Sequence, residues 1–120
     1  MFVVNLMAIY NNVKSYYNKA KVIIETEGDK VTNVKLISYD TEVAVINNGV
    51  LYIKGTYSAT TLKHITDFIY QYRDIISDFK KYFIHPNIEN MLQIDKKHIL
   101  KYMDEFEKSE ELKNKFYGKV

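Results

Sequence analysis

The sequence contains no cysteine, so it offers no disulfide, no thiolate metal ligand and no cysteine nucleophile, and a reducing cytoplasm is its natural setting. With 4 glycines in 120 residues, neither a Gly-x-Gly-x-x-Gly fingerprint nor a lysine-bearing P-loop can be written, which weighs against a nucleotide-using enzyme. Neither sign of charge is in excess. The 17 basic and 15 acidic residues leave a net charge of +2, too little to draw the whole chain onto nucleic acid or a membrane surface, or to copy a phosphate backbone. Only a local patch of either sign remains open. Arginine occurs once, as Arg73, leaving few forked phosphate contacts. The apolar stretch Met1 to Tyr10 is interrupted by Asn5 and followed by Asn11-Asn12, and it has no basic leader or small-residue cleavage site. We therefore expect neither a membrane span nor a signal peptide, but burial as a helix or strand.

What is present fits one globular domain over residues 1–120, with 47% hydrophobic and 27% charged residues in 14.2 kDa. Apolar positions Leu6, Ile9, Val13 and Tyr17 are spaced for a short N-terminal helix. From Lys21 the pattern becomes β: Val22 to Ile24, a Glu27-Gly28-Asp29 turn, then the β-branched run Val31 to Tyr39. A second hairpin follows, Thr41 to Ile46 and Val50 to Lys54, around Asn47-Asn48-Gly49. This gives an antiparallel sheet of about four strands over residues 21–57. The helical part, about 58–117, begins with one long helix whose face is Leu62, Ile65, Ile69, Tyr72, Ile76, Phe79 and Phe83. Ser58 caps its start and His85-Pro86 ends it. A final helix capped by Asp95 carries the stripe Ile99, Met103 and Phe106. The expected class is α+β, with Ile84 to Gln93 as the only soft joint.

Catalytic spacing is absent. His64, His85 and His98 match no metal-binding pattern, so no metal or cofactor is expected, and Ser58 lacks a Gly-x-Ser-x-Gly elbow. The acidic pairs Asp74/Asp78 and Asp104/Glu107 share helical faces, but neighbouring lysines favour solvated side-chain pairing over acid-base work. Tyrosine is the unusual feature, at 11 residues. Its amphipathic ring suits contact surfaces, and Tyr52, Tyr70, Arg73, Phe79, Tyr82 and Tyr102 form the candidate partner-binding set. The helix beyond Tyr72 and the charged C-terminal helix are the expected contact elements. Ordinary packing is the competing account of the tyrosines. A third account is a stacking platform of Tyr39, Tyr52 and Tyr57 flanked by Lys35 and Lys54, suited to single-stranded nucleic acid. The chain is expected as a monomer or as a homodimer through the long helix.

The stretch Ser38-Tyr39-Asp40-Thr41, Val43-Ala44, Tyr57-Ser58-Ala59-Thr60-Thr61, His64-Ile65 and Phe68 resembles a pattern in small proteins encoded by phages, plasmids and other mobile elements of Gram-positive bacteria. Similar modules appear among anti-CRISPR proteins directed at type II nucleases. The resemblance covers about a third of the chain. It implies a non-catalytic inhibitor of host defence that binds an effector nuclease in the bacterial cytoplasm; the alternative is a nucleic-acid-binding accessory protein. Within the pattern, Tyr57, Ser58, Thr61 and His64 fit a structural cap and a sheet-to-helix junction, with His64 and Tyr57 expected to pair.

Overall fold

A computed structural model of the chain describes residues 1–11 and 13–119. Five strands, β1 (Phe2–Asn5), β2 (Ala20–Glu27), β3 (Lys30–Ser38), β4 (Thr41–Asn47) and β5 (Val50–Ile53), form one antiparallel sheet in the order β1-β2-β3-β4-β5. Helices α1 (Ala59–Gln71), α2 (Phe79–Phe83), α3 (Lys96–Lys108) and α4 (Glu110–Phe116) follow, so the chain is an α+β fold. The hairpins turn where glycine and asparagine make left-handed backbone cheap: Gly28 has φ +62°, and Asn48 and Gly49 have +51° and +78°. Gly49 is constrained twice, because an added Cβ there would lie 2.9 Å from Ser77 Oγ.

The N-terminal region departs from expectation. The described residues between 6 and 19 form no helix; the chain instead adds Phe2–Asn5 to the free side of β2 as a fifth strand. Three β-branched or aromatic residues in a row suit a strand once a partner edge exists. Their expected burial also fails, since Phe2, Val3 and Val4 are 59%, 56% and 41% exposed.

The expected long helix is broken. After α1 come a 3-10 turn (Arg73–Ile75), an extended Ile76 and a left-handed Asp78 at φ +59°, and only then α2. The amide of Ser77 donates to the carbonyl of Gly49 at 2.6 Å rather than to its own helix. A straight helix from residue 59 to 83 would run about 37 Å, against about 19 Å for the width of five strands. The break folds the surplus back onto the core. The heptad-like positions still face inward, with Ile65, Ile69, Ile76, Phe79 and Phe83 all buried.

The sheet is packed from both sides. Val22, Val34, Leu36, Ala44, Ile46, Leu51 and Ile53 share a core with Ile65, Phe68 and Ile69 of α1. On the other face, Val45, Val50 and the half-buried Tyr52 pack with Phe106, Leu112 and Phe116 of α3 and α4. Asp95 caps α3 by accepting from His98 N at 3.0 Å, and Ser109 caps α4 by accepting from Leu112 N at 3.1 Å.

Candidate functional site

The two ends of α1 carry the residues singled out in the sequence. At the N-terminal end, Ser58 Oγ accepts from Thr61 N at 3.1 Å, the expected cap. Thr61 Oγ1 lies 2.9 Å from Ser38 Oγ, which lies 2.9 Å from His64 Nδ1. Burial holds His64 below its ordinary pKa, so the ring is neutral near pH 7. Tyr16 meets it edge-on at 4.7 Å and Tyr39 at 5.8 Å. The expected His64–Tyr57 pairing is therefore corrected. Tyr57, at φ +54°, turns outward and is 59% exposed, while Ser38, at the head of the Ser-Tyr motif, takes the histidine.

A serine bonded to a histidine has the composition of a nucleophile and its base. Ser38 is 2% and His64 0% exposed, however, so a substrate could reach neither without unfolding the junction. The cluster works as a polar stitch between β3 and α1. Among the described residues no group of three His, Asp or Glu side chains is placed to hold one metal ion.

One helical turn further on, the fully buried Asp67 gathers residues 9–11 and Tyr16, a role that no local sequence signal announces. Its carboxylate accepts from Ile9 N at 2.9 Å, Tyr10 N, Asn11 Nδ2 at 2.9 Å and Tyr16 OH at 2.6 Å. Burial, reinforced by the Asp67 hydrogen bond and charge, raises the Tyr16 pKa, so its hydroxyl stays a donor.

The C-terminal end of α1 is open. Where the helix breaks, a groove of about 660 Å³ lies between the 3-10 turn, α2 and the loop that follows. Ile76, Phe79, Ile84 and Leu92 supply its apolar lining, and Asp74, Asp78, Lys80 and Lys81 mix both signs of charge around it. Arg73 lies with its guanidinium carbon 4.3 Å from the Tyr70 ring centroid, and its Nη1 donates to Tyr70 O at 2.7 Å. Tyr10 packs on Tyr70 at 5.6 Å and extends the aromatic rim. Ile75, Ile88 and Met91, which sequence patterning did not single out, are 43%, 50% and 46% exposed on the two segments that flank the groove.

The other predicted contact residues divide. Tyr102 is 2% exposed, its hydroxyl donating to Leu51 O, and Phe79 is 8% exposed; both are corrected to core positions. Tyr82 is half-buried, edge-on to Tyr102 at 4.9 Å. Tyr52 stacks on Phe106 at 4.9 Å and meets Phe116 at 5.4 Å, so it is not a free stacking platform. Lys35 is paired with Glu25 at 2.6 Å, and Lys54 with Glu42. Of the six, Tyr70, Arg73 and Phe79 come together on the open groove, Phe79 as part of its buried apolar wall.

Residues 4–84 match a family described as "Family of unknown function (DUF8033)". The chain belongs to this family. Its matched span takes in the polar stitch, Asp67 and one wall of the groove, while Asn90 and Leu92 on the other wall lie beyond it. No curated protein and no solved structure matches the chain. Among the described residues no helix is long and apolar enough to cross a membrane.

Proposed function

We infer that this protein is a binding module that acts by contact with another protein and performs no chemistry of its own. The observation that carries this reading is Arg73 held on Tyr70 at the mouth of an open, apolar-lined groove. Arginine and tyrosine are the side chains that most often dominate interface energies. An arginine already fixed by stacking and a 2.7 Å backbone bond loses less rotamer freedom when a partner arrives. Exposed Ile75, Ile88 and Met91 add apolar contact area, and the rim's mixed charges would steer orientation.

The sequence resemblance supplies the target to test first: a type II CRISPR effector nuclease, blocked in the bacterial cytoplasm by occlusion or by being held inactive. The test mixes purified protein with a guide-loaded nuclease and its target DNA. We expect a stable complex, reduced cleavage, and recovery of cleavage with Arg73→Ala. Neither binding nor inhibition removes the nuclease as target. Affinity capture from bacterial lysate then separates target from mechanism: a different protein held by the wild type and lost by Arg73→Ala keeps the groove and replaces the target.

A further inference from the structure

The two edges of the sheet are treated differently. At β5, α3 and α4 pack against the strand and Tyr102 OH donates to Leu51 O. At β1, no described element pairs with the outer side. Phe2, Val3 and Val4 are 59%, 56% and 41% exposed, and Phe2–Asn5 contains no lysine, proline, bulge or inward-pointing charge of the kind that normally blunts a strand edge.

The direction of the free backbone groups follows from the ladder. Leu6 N donates to Ala20 O at 3.1 Å, and the β1–β2 register pairs Asn5 with Lys21, which sets Leu6 opposite Ala20. In an antiparallel pair the bonding residues alternate, so Phe2, Val4 and Leu6 turn their amides and carbonyls to β2 while Val3 and Asn5 turn theirs outward.

We propose that the β1 edge pairs antiparallel with β1 of a second copy of this chain, about a two-fold axis perpendicular to the sheet and midway between the two opposed Val3 residues. Directly opposed residues must lie on the same face of a continuous sheet, and this register satisfies that condition. Val3 then exchanges both backbone bonds with the partner's Val3, and Asn5 faces the partner's Met1. Phe2 packs beside the partner's Val4, an aromatic to β-branched pair of the stabilising kind. No charged residue is set opposite another. A second copy fits because this one pairing satisfies both bare edges at once and joins the two sheets into one of ten strands. The exposed area suggests that each copy would bury roughly 400 Å², about half the standard interface, so the dimer is weak and forms at high concentration.

Sedimentation of the full chain from about 10 μM to about 1 mM tests this, since that range brackets the affinity expected of a small interface. The average mass should climb from one chain toward two. Val3→Lys sets like charges opposite each other across the axis, and Val3→Pro deletes an outward amide without touching the β1–β2 bonds. Both variants should dissociate at least tenfold more readily while keeping the wild-type circular dichroism and thermal midpoint, whereas Ile88→Lys should leave the dimer unchanged. Amide exchange gives a second readout: Val3 and Asn5 should gain protection as concentration rises, with Val4 and Leu6 protected throughout. A single-chain mass at the highest concentration overturns the proposal, as does a dimer that survives both Val3 substitutions.

Discussion

At its N-terminal end α1 is sealed by buried hydroxyls bonded to one another and to His64 Nδ1, with His64 Nε2 left without a partner, whereas thirteen residues later it opens onto solvent beside an arginine and a tyrosine. The sealed end holds the part of the sequence with the most specific motif. Its residues join β3 to α1 and pin residues 9–11 and Tyr16, so they specify the fold. The open end has no motif, only Tyr70 and the single Arg73, yet it is where a partner has room to dock. A distinctive pattern in a sequence can therefore mark a structural joint, with the proposed contact surface lying next to it.

The sharpest way to break this contrast is to damage the sealed end. Asp67→Ala leaves three backbone amides, the Asn11 side-chain amide and the Tyr16 hydroxyl without their buried acceptor, and should cost about 3–5 kcal/mol of stability by denaturant unfolding. A loss under about 1 kcal/mol would mean that water replaces the carboxylate and that the segment is not pinned there. The open end should behave in the opposite way. Arg73→Ala should change stability by less than about 1 kcal/mol while weakening the captured partner at least tenfold, about 1.4 kcal/mol or more. Equal losses in both measurements would erase the distinction between the ends.

Smaller effects sharpen it further. Ser58→Ala removes the side-chain acceptor of Thr61 N and should cost about 1 kcal/mol, with partner binding unchanged. The smallest effect at neutral pH is that of His64. Burial lowers its folded pKa from an ordinary 6.5, so the unfolded chain binds the proton more readily. The contribution is complete above about pH 6.5 and is lost as pH falls from there through the folded value. Unfolding free energies between about pH 8 and 5 should therefore decline on acidification, with a shallower slope for His64→Gln. Identical slopes would show that His64 does not titrate against the fold.

Much of the architecture was legible because it is written locally. Gly28 and Asn48-Gly49 sit where the backbone turns left-handed, and the β-branched runs between them pair as expected. Ser58, Asp95 and His85-Pro86 mark helix limits through their own chemistry. The strand Phe2–Asn5 was not legible, because four residues carry too little periodicity and the strand exists only against the edge of β2. The break after Tyr72 was hidden because apolar spacing continues across it; Ile76, Phe79 and Phe83 reach the same core from a bent path. At the site, Tyr70 and Arg73 were readable as contact chemistry, while Tyr102 and Phe79 carry the same chemistry and lie inside.

The sequence by itself determined the class, the hairpins and the caps of α1 and α3, since turn stereochemistry and capping act over a few neighbouring residues. Only the tertiary structure decided that Gly49 would take the Ser77 amide and break the helix, that Ser38 rather than Tyr57 would hold His64, and that Asp67 would gather residues 9–11 and Tyr16. Those contacts join residues 26 or more positions apart, and each forms only once the fold has brought its two segments together.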